Sequence, residues 1–155
     1  MEYFRQFIRN TIRDFLNENI VKDNNLILYH GTGEKQEVIK ALKNNTFRFN
    51  KSGGVENGMY LTTNKELAMQ YSEIANGNDK GVVEVILTKE PKIKRYKNPG
   101  ELYDEEMSYS PHNTKDSILK YLEDMLSQGY DGTQTDDEVI LIFKEKINIV
   151  KPLKM

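Results

Sequence analysis

Leu26-Ile27-Leu28-Tyr29 runs straight into His30-Gly31-Thr32. Four apolar side chains in succession behind the polar punctuation of Asp23-Asn24-Asn25 are too few for a helix and suit a buried strand. Gly31 and Gly33 are expected to break that strand, so it ends by delivering a histidine. Downstream, Val38, Ile39 and Leu42 share one face of a helix expected from Gln36 to Lys43. Phe47 and Phe49 alternate with Arg48 and Asn50 as in a strand, and Lys51 to Asn57 forms a polar loop around Gly53-Gly54. Met59-Tyr60-Leu61 is a second short strand, and Thr63-Asn64-Lys65-Glu66 has the chemistry of a cap opening a helix to about Ile74.

The second half begins with Gly81-Val82-Val83-Glu84-Val85-Ile86-Leu87, whose β-branched content marks a strand that stops near Pro91. From Tyr96 to Pro111 there is no clear period, and Pro99-Gly100 with the acidic Asp104-Glu105-Glu106 predicts a long surface loop. Thr114 fits a helix cap; Ile118, Leu119, Leu122, Met125 and Leu126 trace its apolar face up to Gly129. A turn-rich loop over 129–137 then leads to Glu138, which opens the apolar run Val139 to Phe143, a buried strand. Ile147-Asn148-Ile149-Val150 alternates as one more. Strands interspersed with a few helices, without regular alternation, predict an α+β fold rather than a doubly wound sheet.

Upstream, Phe4, Phe7, Ile8, Ile12, Phe15 and Leu16 form an apolar stripe at helical spacing, with Arg5, Arg9 and Arg13 along a second. This predicts an N-terminal amphipathic helix over residues 1–22 and a single domain over 23–155, a length ordinary for one self-sufficient core. The apolar face is expected to pack on the domain, leaving the arginines solvated. Charges among the first fourteen residues interrupt the apolar run that a secretory signal would need, and no stretch reaches the ~20 apolar residues of a membrane span. A cytoplasmic protein is therefore expected. Lys and Arg total 22 against 24 Asp and Glu, so no strong pull toward nucleic acid follows; with no cysteine and two distant histidines, no metal site is expected.

His30, the block Gly58-Met59-Tyr60-Leu61-Thr62-Thr63-Asn64-Lys65 running on to Tyr71, and Glu138 follow one another in an order that resembles a known family. It is that of the His-Tyr-Glu ADP-ribosyltransferases, the group of diphtheria toxin and the poly(ADP-ribose) polymerases. Tyr60 and Tyr71 stand eleven positions apart, as the family's two ring-stacking aromatics do, and the likeness extends over residues 26–150. The resemblance implies a core of two packed, mostly antiparallel sheets with flanking helices, to which the N-terminal amphipathic helix is an addition. It also implies NAD as co-substrate.

Carried over on these positions, His30 bonds the adenosine-side ribose, the backbone of Gly31 pairs with the nicotinamide carboxamide, and Thr32 adjoins it. Glycine suits this position because no side chain projects toward the ligand. Tyr60 and Tyr71 sandwich the nicotinamide ring, and Ala68 stands where the polymerases have a serine bonded to the carboxamide. Glu138 grips the 2′-hydroxyl of the nicotinamide ribose and steadies the positive charge that develops as the glycosidic bond breaks. His30, Tyr60 and Glu138 are thus the expected catalytic set. The implied activity is mono-ADP-ribosyl transfer to a macromolecular acceptor, in the first instance a protein, in the cytoplasm of the producing cell or of a host. Asp136, two positions before Glu138, would suit a cationic acceptor. Nucleic acid stays open as an acceptor, and NAD glycohydrolysis or an inactive NAD-binding module are the alternatives.

Overall fold

A computed structural model describes residues 27–45 and 58–153. The expected N-terminal helix, the Phe47–Phe49 strand and the loop to Asn57 lie outside the described residues. Seven strands form one sheet in an α+β arrangement: β1 (Ile27–Thr32), β2 (Gly58–Thr62), β3 (Gly81–Leu87), β4 (Ile93–Arg95), β5 (Gly132–Gln134), β6 (Val139–Phe143) and β7 (Val150–Pro152). Their spatial order is β4-β5-β6-β2-β1-β3-β7, with β4 and β5 parallel and every other neighbouring pair antiparallel.

One hydrogen-bonded sheet replaces the two expected, but its connections are unequal. β1 is laddered to β3 from Ile27↔Ile86 through Thr32↔Gly81, and β2 to β6 from Gly58↔Phe143 through Thr62↔Val139. Between β1 and β2 the register holds a single pair, Tyr29↔Thr62. The sheet is therefore two well-laddered leaves joined at a seam, and a seam of that kind opens space that a continuous ladder would close.

Among the described residues four α-helices accompany the sheet: α1 (Lys35–Lys43), α2 (Lys65–Ile74), α3 (Pro99–Met107) and α4 (Thr114–Ser127). α1 buries Val38, Ile39 and Leu42 as expected. α2 begins at Asn64, whose side-chain oxygen accepts from Leu67 N at 3.1 Å. α3 corrects the expected 96–111 loop. Asn98 caps it by accepting from Glu101 N at 2.9 Å, and Pro99 occupies the first turn, where a missing N–H costs nothing. α4 buries Ser117, Tyr121, Leu122 and Met125, so its inward face is rotated from the expected one and Leu119 is exposed. Two polar anchors account for the rotation: the Tyr121 hydroxyl lies 2.7 Å from that of Tyr96, and Ser117 Oγ donates to Glu106 O. Gly129 follows with φ of +84°, the left-handed position that ends helices.

Two further corrections concern short elements. The 129–137 loop contains β5, and Lys144–Ile149 is a 3-10 helix rather than the start of a strand, which begins only at Val150. β6 is buried over its whole length because both its faces are covered. Ile140 and Ile142 join Leu28, Met59, Leu61, Val83 and Val85 and the buried face of α1 in one core; Leu141 and Phe143 join Tyr96, Tyr121, Leu122 and Met125 in another. Each such fully buried side chain stabilises the fold by roughly 1.5–3 kcal/mol.

Candidate active site

α2 packs against β1 on one leaf, and the α3–α4 pair covers the β6 end of the other. Between them, over the seam, lies a cleft of about 480 Å³. Tyr29, His30 and Gly31 of β1, Tyr60, Leu61 and Thr62 of β2, Tyr71 of α2 and Leu102 of α3 line it, together with Thr133, Thr135, Asp136, Val139 and Leu141 from the β5–β6 hairpin.

His30 occupies the seam. Its Nδ1 lies 2.9 Å from the carbonyl oxygen of Tyr60, so a side chain bridges β1 to β2 where the backbone ladder has stopped. A carbonyl only accepts, so Nδ1 carries the proton. Burial lowers the imidazole pKa below its usual range, and the Tyr60 hydrogen bond only partly opposes this. The ring is accordingly neutral at neutral pH, with a proton on Nδ1 and a lone pair on Nε2.

Tyr60 and Tyr71 are large aromatic side chains that the fold leaves 61% and 42% exposed, while Leu61 beside Tyr60 is buried in the core. Strand alternation explains the contrast, since β2 sends Met59 and Leu61 to the core and Tyr60 to the cleft face. Two half-open rings beside a cleft are surfaces a planar ligand can cover.

Glu138 stands between Asp136 and Val139, both of which line the cleft. Its backbone is fixed from one side, since Asp136 Oδ1 accepts from Glu138 N at 2.8 Å and from Val139 N at 2.9 Å. Its exposed carboxylate is met from the other, Oε1 accepting from Asn64 Nδ2 at 3.3 Å. The carboxylate of Asp136 thus serves the turn that presents Glu138.

The structure brings His30, Gly31, Tyr60 and Tyr71 to one cleft; Glu138 is not among the lining residues, although Asp136 and Val139, on either side of it in the chain, are. Thr32 and Ala68 do not line the cleft either: Thr32 Oγ1 accepts from Glu34 N at 3.1 Å, and Ala68 is fully buried. Gly31 has a reason to be glycine that sequence reasoning missed. A Cβ built there would lie 2.0 Å from the backbone oxygen of Ala68, so the bare backbone is what lets α2 settle on β1. Leu102, Thr133 and Thr135 were also missed. For Leu102 the signal was present in Asn98-Pro99, a capping residue followed by a first-turn proline; for the two threonines the sequence carries none.

Among the described residues, no three His, Asp or Glu side chains gather as a metal ion would require, and no helix is long and apolar enough to cross a membrane. No protein-family model matches the chain, and no curated protein matches it.

Proposed function

We propose that the protein is a mono-ADP-ribosyltransferase that binds NAD in this cleft, breaks the bond between nicotinamide and ribose, and passes ADP-ribose to a macromolecular acceptor, in the first instance a protein. One observation carries the reading: His30 and Tyr60, thirty residues apart, are hydrogen-bonded across the seam of a cleft that Tyr71 also lines, and Glu138 stands in the turn between the lining residues Asp136 and Val139. The volume of about 480 Å³ lies within the ~300–1,000 Å³ usual for small-molecule sites. The aromatic faces of Tyr60 and Tyr71 suit nicotinamide, and the neutral imidazole of His30 suits a ribose hydroxyl.

The chemistry asked of the protein is modest. Nicotinamide leaves as a neutral molecule, so the residues need not protonate it. Tyr60 and Tyr71 hold the ring, His30 orients the distal ribose, and Glu138 accepts from the 2′-hydroxyl of the reacting ribose. The bonding electron pair goes to the pyridinium ring, so its positive charge passes to the ribose as the bond breaks. A carboxylate fixed at the 2′-hydroxyl interacts more strongly with that charge in the transition state than in the ground state, which is what accelerates the step.

Incubating the purified chain with NAD labelled in its adenylate half, in the presence of cell lysate, tests the proposal. Transfer leaves label on macromolecules. Free labelled ADP-ribose alone would identify a glycohydrolase, and intact NAD would overturn catalysis altogether.

A further inference from the structure

We infer that Asn64 is a positioning residue for the Glu138 carboxylate, an inference that rests on reading the cleft as an NAD site. Besides its carbonyl, which accepts from Ala68 N at 3.2 Å, three hydrogen bonds hold Asn64. Its backbone N–H donates to Thr62 Oγ1 at 3.0 Å, its Oδ1 accepts from Leu67 N at 3.1 Å, and its Nδ2 donates to Glu138 Oε1 at 3.3 Å. The amide can be oriented only one way. The Leu67 N–H is a donor and must face the oxygen, which turns the NH2 group toward Glu138, and an NH2 group can only donate.

The meeting of these two residues follows from strand register. Thr62 is paired with Val139 at the end of the β2–β6 ladder, so the chain leaving β2 passes beside the chain entering β6. Asn64 comes two residues after Thr62, and Glu138 one before Val139. Thr62 is buried and lines the cleft, which gives Asn64 a firm base.

Glu138 has a long, exposed side chain, and such a carboxylate samples several rotamers. Asp136 fixes its backbone but not the end of its side chain. Asn64 supplies that second restraint, and being the cap of α2 it ties the carboxylate to the helix that carries Tyr71. The residue thus sets the acid and one wall of the cleft in a common frame before substrate arrives.

The test separates capping from positioning. Asn64→Ser and Asn64→Asp both retain an oxygen able to cap α2, and both lose the N–H that reaches Glu138. With NAD consumption measured on the full chain, both variants are expected to melt as the wild type does and to hold KM for NAD within about twofold, while kcat falls roughly 10- to 100-fold. Wild-type kcat in either folded variant overturns the inference, as does a loss carried entirely by KM. Should the Ser variant fail to fold, the Asp variant decides, since its carboxylate is a strong cap. A wild-type chain that consumes no NAD overturns the reading of the cleft and this inference with it; an active wild type alongside fully active variants overturns the inference alone.

Discussion

The imidazole of His30 donates from Nδ1 to the carbonyl oxygen of Tyr60 at 2.9 Å, across a junction in the sheet where the neighbouring strands β1 and β2 share a single residue pair. Continuing that antiparallel register would set His30 opposite Leu61 and seal the seam with backbone hydrogen bonds. A side chain satisfies the Tyr60 carbonyl instead, which keeps the two leaves together while leaving room for the cleft. The same residue therefore closes the fold and lines the site.

Acidification tests this arrangement. The native imidazole is held below its ordinary pKa by burial, so in the window from about 6.5 downward the unfolded chain binds a proton that the native chain does not. Stability is then fully retained above that window and lost as pH falls through it. Glu106 acts in the opposite sense at lower pH, because burial, reinforced by Glu105, raises its carboxyl pKa and the native state binds its proton the more readily. His30→Gln removes the first contribution and leaves the second. Thermal melts between pH 7 and 5 should show a shallower loss of stability in the variant than in the wild type, and parallel curves would rule out a depressed His30 pKa.

Gly31→Ala addresses the packing of α2. The added methyl would stand 2.0 Å from Ala68 O, a backbone atom that cannot turn aside, so α2 must lift from β1. The expected loss is about 1–3 kcal/mol, read as a lower denaturant midpoint. Because α2 carries Tyr71, a folded variant should also bind NAD more weakly. Unchanged stability would mean that the helix sits further from the strand than described.

Much of this was legible in the chain. The strands β1, β2, β3 and β6 announce themselves by their apolar or β-branched content, and Asn64 before α2 by its capping chemistry; of these strands β6 alone is buried throughout, while the expected buried strand at β1 is buried only at Leu28. What was hidden depended on neighbours. Gly132-Thr133-Gln134 has no apolar side chain, yet all three residues are buried because β6 offers a ladder to one side and β4 to the other. Val150–Pro152 is a strand that a proline can join only because β7 is at the sheet edge. α3 has no fully buried residue, so its sequence shows little amphipathic stripe, and its cap was the sole signal. The expected site residues were visible as an order of types, and the Asp136 turn before Glu138 is local, but the Asn64 contact to Glu138 depends on strand register, which no local pattern encodes.

Asp131 should prove the most sensitive polar residue of the β4–β5 region. It is wholly buried, and Oδ2 accepts from Lys92 N at 2.8 Å while Lys89 Nζ lies 3.2 Å away; Lys146 Nζ is 3.9 Å from Oδ1. Its backbone also accepts from Phe143 N at 2.9 Å, tying β6 into the same knot. Asp131→Ala leaves the Lys92 N–H without its acceptor, whereas the half-exposed Lys89 can return to water. A loss of about 1–3 kcal/mol is expected in chemical denaturation. A loss under ~0.5 kcal/mol, ordinary for surface substitutions, would show that the lysines and not the carboxylate organise this corner.

Glu138→Gln isolates charge from shape. The side chain is exposed, and a glutamine oxygen can still accept from Asn64 Nδ2, so stability should stay within about 0.5 kcal/mol of the wild type. The amide can also still meet a ribose hydroxyl, which should leave NAD binding largely intact. What it lacks is the negative charge, and that charge matters only as the sugar becomes cationic. The loss should therefore fall on kcat, by roughly 10²–10³-fold, with KM little changed. Nicotinamide release measured at saturating NAD reads it directly. A variant as fast as the wild type would move the catalytic carboxylate elsewhere on the cleft, and Asp136, the other acid beside it, would be the next residue to substitute.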